Sequence, residues 1–160
     1  DLQSAALNLA ILLKNRSDTV GVSESSAGGL ISATLLGIPG ASAYFVGGAV
    51  TYTRLSQRGL LGVTDKDMLN VRASTEEYAL INARAVKNRL TATWGLSETG
   101  ASGPSGNRYG DNAGHTCIAV SGPVERTTTL ETSNDNRVEN MWMFAIKAIK
   151  LLEECVAKVN

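Results

Sequence analysis

The spacing of apolar residues along the chain predicts helices and strands in alternation. Apolar positions recur at helical intervals over residues 2–15, and Asp1 or Ser4 is placed to cap this helix. The run Ser74-Thr75-Glu76-Glu77 has the form of a capping box and predicts a second amphipathic helix that continues to about Thr91. The other predicted helices lie at 28–36, 55–61, 65–69 and from a cap at 134–136 to about 158.

Short apolar and β-branched runs between these helices predict strands. Three of them, at 19–23, 48–53 and 94–98, alternate with helices, and residues 41–45 are ambiguous. A Gly122-Pro123 turn joins two more strands, 115–120 and 126–131, into a hairpin. Strands that alternate with helices indicate a sheet between helix layers, and the hairpin makes that sheet mixed. We therefore expect one α/β domain over residues 1–160, a three-layer α/β/α sandwich with a mixed, mostly parallel sheet.

Charge and composition narrow the classes of partner. The 15 basic and 15 acidic residues cancel and form no block of like charge, so no nucleic-acid or membrane surface is indicated. No apolar run is long enough to cross a bilayer, and no basic leader opens the chain. The missing initiator Met predicts a chain that was trimmed, processed or cut from a longer product. We expect a cytoplasmic location.

The two cysteines are spaced too far apart for a CxxC motif. Cys117 falls in an apolar strand and Cys155 in a helix, so no metal site is expected. Two buried thiols fit a reducing compartment, and the sequence leaves a disulfide open.

The turn after the first predicted strand carries the candidate chemistry. It places hydroxyl side chains and a glycine pair at the start of a helix, where free N–H groups can hold an anion or an oxyanion. Ligands of open α/β sheets bind beyond the carboxyl ends of parallel strands. If the first three strands are neighbours, Ser25, Tyr52 and Thr99 converge on one pocket. The alternative is an ordinary strand-to-helix turn, with the three turns facing different ways.

A hydrolase at this place would need a nucleophile, a base and oxyanion donors. Ser25 or Ser26 supplies a hydroxyl, and the backbone near Gly28 and Gly29 supplies N–H groups. A base is harder to find, because His115 is the only histidine and opens an apolar strand, where a hydrogen-bonded structural role is favoured.

Other motifs exclude common enzyme classes. The chain has no G-x-S-x-G elbow and no phosphate-binding G-x-x-x-x-G-K-[ST] loop, and residues 100–103 do not form a dinucleotide fingerprint. Glu24 is either an inward carboxylate of raised pKa or, as we favour, a helix cap or arginine partner. The glycine-rich stretch 99–114 is long enough to be either functional or disordered.

Taken in order, these residues resemble the C-terminal domain of the competence/damage-inducible protein CinA. The similarity spans nearly the whole chain. Five family motifs have counterparts here: A-E-S-C-T-G-G at 23–29, P/A-G-S-S-A-x-F at 39–45, G-x-V-T-Y-[ST]-N-x-x-K at 48–57, L-G-V at 61–63 and [ST]-G-I-A-G-P at 99–104.

The resemblance implies an amidohydrolase that converts nicotinamide mononucleotide to nicotinic acid mononucleotide and ammonia, without metal or cofactor. It also implies a three-layer α/β/α domain, often a homodimer. Ser25 would be the nucleophile, with Tyr52 and Thr99 as positioning groups and Ser42 on the phosphate side of the pocket. The other positions expected to bind the ligand are Ser26, Gly28, Gly29, Arg54, Gly100, Gly103 and, near the last helix, Arg137.

The departures from the family pattern affect catalysis. The lysine expected to act as base falls on Gln57, and a neutral amide cannot abstract a proton. The threonine of C-T-G-G is Ala27, and the asparagine after V-T-Y-[ST] is Arg54. Arg54 or Arg58 would serve a phosphate well if either reaches back to the pocket, but arginine is a poor base.

Three functional hypotheses follow. The first is a divergent amidohydrolase in which another group replaces the lysine. The second is a non-catalytic relative that binds a small phosphorylated ligand or has a structural or interaction role. The third is an unrelated binding domain that shares only short turns with the family.

Overall fold

In the computed structural model, which describes residues 1–159, the chain folds into a five-stranded sheet with helices on both faces. The helices are α1 (Leu2–Arg16), α2 (Leu30–Leu36), α3 (Arg54–Leu61), α4 (Glu76–Leu90) and α5 (Arg137–Ala157), with a 3-10 turn at Ala41–Ala43. The strands are β1 (Val20–Glu24), β2 (Phe45–Val50), β3 (Trp94–Ala101), β4 (His115–Ser121) and β5 (Arg126–Glu131).

The order of the strands across the sheet is β2-β1-β3-β4-β5. β1 is parallel to both β2 and β3, whereas β4 and β5 run antiparallel. The predicted mixed sheet is therefore confirmed. The register pairs Glu24 with Val50 on one side and with Glu98 on the other, so the carboxyl ends of the three parallel strands meet at one edge.

Three buried apolar clusters in residues 1–159 hold the layers together, and they confirm the predicted α/β/α sandwich. Alternate residues of each strand face opposite layers. The larger core lies between the sheet and α1, α2 and α5, and includes Leu9, Val22, Ile31, Trp94, Leu96, Ile118, Phe144 and Leu152. On the other face, the small residues Ala79 and Ala83 of α4 pack on Cys117 and Ala119 of β4. A third cluster, which includes Leu61 and Val86, joins α3 to α4.

Two strands differ from the predicted boundaries by several residues. The second was expected at 48–53 but ends at Val50, because Thr53 leaves the sheet to cap α3 and accepts the Ser56 N–H at 3.1 Å. The third was expected to end at Glu98 but continues to Ala101, because β4 provides antiparallel partners for residues 99–101. The first strand is shifted by one residue.

The prediction of a helix at 65–69 is wrong, and the predicted start of α4 also differs from the structure. Turns occupy that stretch, where the Asp67 carboxylate accepts the Thr64 N–H at 2.9 Å. The capping box at 74–77 is wrong as well: the cap of α4 is Thr75, whose hydroxyl accepts the Tyr78 N–H at 3.2 Å. The Glu76 carboxylate instead accepts hydrogen bonds from two threonine hydroxyls of β5.

Both cysteines are buried free thiols. Cys155 lies in the larger core, and Cys117 lies beneath α4, where burial raises its pKa to about 11. The Cys117 thiol is therefore protonated at neutral pH. Of the helices in residues 1–159, none has the length and apolar character needed to cross a membrane.

Candidate functional site

A cavity of about 200 Å³ opens at the edge where the parallel strands end. This is the edge at which the order of elements predicts a ligand. The turn after β1, the segment after β2, the end of β3 and the start of α5 all contribute to its wall. The lining residues are Ser26, Tyr52, Gly100, Ala101, Ser102, Gly103, Ser105, Gly106, Asn107 and Arg137.

The buried carboxylate of Glu24 holds the turn between β1 and α2. It accepts the backbone N–H groups of Gly29, Ile31 and Ser32, each at 2.9 Å, together with the Ser32 hydroxyl at 2.8 Å. Of the two interpretations of Glu24, the helix cap is therefore the one the structure shows. A carboxylate suits this place because the first turn of a helix has unpaired N–H groups.

The glycine pair shapes this turn instead of facing a ligand. Gly28 and Gly29 have φ values of 71° and 106°, in the left-handed region that glycine adopts without strain. The Gly28 N–H donates to the Ser25 carbonyl at 3.0 Å, and the Gly29 N–H donates to Glu24. The expectation that these two N–H groups are ligand or oxyanion donors is therefore wrong.

A second buried carboxylate, Glu98 on β3, lies beneath the cavity. Its Oε1 accepts the N–H groups of Ser25 at 3.0 Å and Ala27 at 2.8 Å. Its Oε2 accepts the hydroxyl of Thr116 at 2.9 Å and the hydroxyl of Ser26. Burial raises the pKa of Glu98 above its ordinary value, although these four hydrogen bonds oppose the rise.

Sequence reasoning missed Glu98 as a site residue. The available signal was alternation: Trp94 and Leu96 face the larger core, and the next position on the same face is an acid. A carboxylate is almost never fully buried unless hydrogen-bonded partners surround it. Such a side chain at the carboxyl end of a strand was therefore a candidate for the site.

The two serines of the turn have different surroundings. Ser26 is almost fully buried, lines the cavity and donates its hydroxyl hydrogen to Glu98. Among the described hydrogen bonds, Ser25 is engaged only through its backbone, with its N–H on Glu98 and its carbonyl on Gly28. The structure thus joins Ser26 to a buried carboxylate, which it does not do for the Ser25 hydroxyl.

Thr99 does not share the cavity, contrary to the predicted convergence. It follows Glu98 on the strand and therefore faces the opposite layer, beneath α4. Its hydroxyl is buried and accepts the Ser74 N–H at 3.2 Å. Tyr52 does line the cavity, so two of the three predicted turns meet there and the third contributes Gly100 in place of Thr99.

Arg137 brings a positive charge to the cavity, as the resemblance implied. Its Nη1 donates to the Gly103 carbonyl, and its Nη2 lies 3.5 Å from the Tyr52 hydroxyl. Gly103 is required here, because its φ is 114° and an added Cβ would lie 2.7 Å from the Asp135 carbonyl oxygen. The guanidinium is thus fixed against the loop that closes one side of the cavity.

Side-chain hydrogen bonds order the glycine-rich loop, which has little regular structure after Ala101. The Asn107 amide oxygen accepts the N–H groups of Tyr109 at 3.0 Å and Asp111 at 3.1 Å. Asp111 in turn accepts Arg72 at 2.8 Å, and that hydrogen bond lowers the pKa of Asp111. Because Asn107 also lines the cavity, this network fixes one of its walls.

Gln57 lies away from the cavity, sealed between α3 and α4. The residue is 0% exposed, and its Nε2 donates to Asn82 Oδ1 at 2.7 Å. Within the described residues, its Oε1 is buried without a hydrogen-bond partner. The residue expected in the position of the family base therefore has no access to the cavity of this chain.

Ser42 and Arg54 also lie elsewhere in the chain. Ser42 is exposed in the 3-10 turn before β2, so it lies at the amino edge of the sheet, about 20 Å of strand away from the cavity. Arg54 donates to Asp65 at 2.6 Å, and Arg58 donates to the same carboxylate at 3.2 Å. The expectations that Ser42 lines the pocket and that either arginine reaches it are wrong for the single chain.

His115 has the hydrogen-bonded structural role that was favoured from the sequence. Its Nδ1 contacts the Glu131 carboxylate, and its Nε2 lies 2.8 Å from the Ser74 carbonyl oxygen. Burial lowers the pKa of His115, but these two acceptors and the charge of Asp111 raise it, and the pKa ends above its ordinary value. An acceptor at each ring nitrogen favours the imidazolium form, in which both nitrogens carry a hydrogen.

Another depression, of about 570 Å³, is larger but chemically poorer. It is an open surface between two loops, lined by Asn112, Ala113, Ser133, Asn134 and Asp135. It holds one carboxylate and no cation, whereas the smaller cavity combines a hydroxyl on a buried carboxylate with a guanidinium. In the described part of the chain, no three His, Cys, Asp or Glu side chains are grouped so as to hold a metal ion.

Comparison with known proteins identifies relatives of this arrangement. Residues 2–156 match the family model of the CinA C-terminal domain. A CinA-like protein of Nostoc sp. strain PCC 7120 is 38% identical over 120 residues, which cover 75% of this chain and 28% of that protein. A CinA-like protein of Desulfosudis oleivorans is 37% identical over 142 residues, which cover 88% of this chain and 34% of that protein. The chain thus spans about a third of the length of these relatives.

Solved structures show the same fold. A CinA superfamily protein from Klebsiella pneumoniae 700603 superposes with a TM-score of 0.93 at 21% identity and covers 99% of both chains. The competence/damage inducible protein CihA from Agrobacterium tumefaciens superposes with a TM-score of 0.90 at 25% identity, over 99% of this chain and 96% of that one.

Proposed function

The chain belongs to the CinA C-terminal domain family, and we propose that it is a divergent member that hydrolyses the carboxamide of nicotinamide mononucleotide or a close relative. The observation that carries this proposal is a single cavity lined by Ser26 and Arg137. The Ser26 hydroxyl donates a hydrogen bond to the buried Glu98 carboxylate, and the Arg137 guanidinium is fixed against the Gly103 carbonyl. Such a ligand has a carboxamide for the hydroxyl to attack and a phosphate for the guanidinium to bind.

The size of the cavity limits how the ligand would bind. At about 200 Å³, it is smaller than the roughly 300–1,000 Å³ of typical ligand pockets. We expect one end of the nucleotide to enter it and the remainder to lie along the ordered loop, beside Asn107. Arg137 then binds the phosphate, and Tyr52 donates its hydroxyl hydrogen beside it.

Ammonia release from nicotinamide mononucleotide tests the activity. The purified chain should release ammonia and form the acid in equal amounts, and alanine at the nucleophilic serine of the 25–26 turn should abolish release. Ser4→Ala is the matched control, because Ser4 is exposed on α1, remote in sequence from the turn. Release that is absent from the unaltered chain would reject the proposal.

The alternative is a relative that binds a phosphorylated ligand without cleaving it. The observation in its favour is Gln57, a neutral buried amide where the family pattern has lysine. Calorimetry with nicotinamide mononucleotide separates the two: heat of binding without ammonia supports the alternative. An absence of binding would question the pocket itself.

The homodimer implied by the family resemblance stays a prediction. Edge strand β2 leaves one side unpaired and exposes Val46 and Val50. Measuring the molar mass in solution by light scattering tests it, and a monomer at all concentrations would reject it.

A further inference from the structure

We propose that Ser26 is the nucleophile of this cavity and that Glu98 is its general base, in place of the lysine that the chain lacks. The inference rests on the proposed function and names the two groups that would perform it. It replaces Ser25, the nucleophile suggested by the resemblance, with its neighbour.

The direction of one hydrogen bond carries the argument. The Ser26 hydroxyl donates to Glu98 Oε2, so its hydrogen is turned toward the carboxylate beneath the turn. The lone pairs of Ser26 Oγ are then free to face the cavity, which Ser26 lines. A nucleophile and its base in direct hydrogen-bond contact is the arrangement that activates a serine.

The surrounding structure fixes the base. Two backbone N–H groups of the turn, from Ser25 and Ala27, hold Glu98 Oε1, and the Thr116 hydroxyl holds Oε2 at 2.9 Å. Four donors pointing at one carboxyl group are compatible with its ionised form, which accepts at both oxygens. The same contacts attach the Ser26 turn to the strand, so nucleophile and base are fixed relative to each other.

The charged and titratable groups near Glu98 are Glu24, Arg137 and Tyr52. Glu24 is its register partner on β1, but the Glu24 carboxylate is engaged by the start of α2. From α5 and the segment after β2, the groups at the cavity are Arg137 and Tyr52. Burial raises the pKa of Glu98, and a carboxylate of raised pKa is a stronger base at neutral pH.

The reaction then balances without a further reactant besides water. Ser26 Oγ forms a bond to the carboxamide carbon while its proton moves to Glu98 Oε2 and the carbonyl electrons move to oxygen. The oxyanion collapses, the carbon–nitrogen bond breaks, and ammonia leaves with the proton from Glu98. Water attacks the seryl ester, gives a proton to Glu98, and releases the carboxylic acid as the Ser26 hydroxyl is restored.

Covalent labelling tests the nucleophile independently of the substrate. Phenylmethylsulfonyl fluoride, which sulfonylates activated serines, is added to the full chain, and the labelled peptide is sequenced by mass spectrometry. We expect the added mass on Ser26, its loss in Ser26→Ala and its retention in Ser25→Ala. Label on Ser25 instead, or no label on either serine, would overturn the assignment.

The base is tested by the rate and pH dependence of the same labelling. Glu98→Gln should slow labelling by about 10²–10⁴-fold, the usual loss when a general base is removed. Thr116→Val removes one donor to the carboxylate, so the pKa of Glu98 rises and the pH midpoint of labelling moves upward. An unchanged rate in a folded Glu98→Gln, or an unchanged midpoint in Thr116→Val, would contradict the role of Glu98.

The valine variant keeps the test decisive if Glu98→Gln fails to fold. Ammonia release separates this inference from the proposed function. Label on Ser26 without hydrolysis of nicotinamide mononucleotide would reject that substrate and leave the Ser26–Glu98 pair standing. Hydrolysis that survives in Ser26→Ala would reject the pair and leave the proposed function standing.

Discussion

Gln57 on α3 and Asn82 on α4 are joined by a buried hydrogen bond of 2.7 Å from Gln57 Nε2 to Asn82 Oδ1. The Met68 sulfur lies 3.6 Å from the same nitrogen, and both amide side chains are sealed from solvent. The pair joins the two helices of one layer. A neutral amide suits this position, since a charge in it would have no carboxylate partner among these contacts.

Gln57→Lys should therefore destabilise the chain. The lysine would bury an ammonium with one polar acceptor, and an unsatisfied buried polar group costs about 1–3 kcal/mol, more when it is charged. Burial depresses the pKa of a lysine, so the unfolded state binds more protons and the stability of the variant should rise with pH. Urea unfolding at several pH values measures both effects.

Leu55→Lys is the control for this substitution, since Leu55 is 76% exposed on the same helix. Its free energy of unfolding should stay within about 0.5 kcal/mol of the unaltered chain, as for most surface substitutions. A Gln57→Lys variant as stable as Leu55→Lys would show that the α3–α4 interface admits a charge.

Glu24→Gln should loosen the start of α2. The carboxylate accepts three backbone N–H groups and one hydroxyl, and hydrogen bonds to a charged group contribute about 1.5–3 kcal/mol. The amide turns an NH₂ group toward donors, so we expect a loss of that size in the free energy of unfolding. Glu77→Gln, at an exposed position of α4, should change it little. Equal effects of the two variants would contradict the capping role.

The sequence was a good guide to the architecture and a partial guide to the site. Strand–helix alternation predicts the layered mixed sheet, and the rule that ligands bind beyond parallel strands predicts the edge where Ser26 and Tyr52 meet. Thr99 was expected to follow the third strand, but it lies within that strand, so strand alternation determines the layer that it faces. Because neighbouring strand residues face opposite layers, only one of Glu98 and Thr99 can face the cavity. The antiparallel strand β4, which extends β3, is distant in sequence from the residues that it pairs with.

Other misses have the same origin in tertiary contacts. The N–H groups of Gly28 and Gly29 look free in the sequence, but Ser25 and Glu24 engage them in the fold. Ser42 precedes β2 with either the predicted or the observed boundary, so its place at the amino edge of the sheet could have been inferred from the order of elements.

The His115–Glu131 contact should make stability depend on pH. Because the folded pKa of His115 lies above its ordinary value of about 6.5, its contribution is fully present below that pH and is lost as the pH rises through the folded pKa. His115→Gln should remove this dependence. Thermal unfolding from pH 5 to pH 9 measures it.

Glu131→Gln provides the second arm of that experiment. It removes the carboxylate on Nδ1 and leaves the Ser74 carbonyl, so the pH dependence should shrink without disappearing. Profiles of the variants that match that of the unaltered chain would show that the imidazolium is not the titrating group.

Arg137→Gln should weaken the binding of phosphorylated ligands. Loss of a charged hydrogen bond costs about 1.5–3 kcal/mol, or roughly 10- to 150-fold in the dissociation constant. Calorimetry with nicotinamide mononucleotide and with nicotinamide riboside separates the phosphate from the rest of the ligand. The variant should lose the preference for the mononucleotide. Arg126→Gln should keep it, because Arg126 lies on β5, where it is paired with Glu154.

The most direct measurement is the yield of ammonia and of nicotinic acid mononucleotide from nicotinamide mononucleotide, with the unaltered chain beside Ser26→Ala. Both products should appear in a one-to-one ratio with the unaltered chain, and neither should appear with a Ser26→Ala chain whose fold is intact by circular dichroism. Products formed equally by both chains would contradict the account, as would an unaltered chain that forms none.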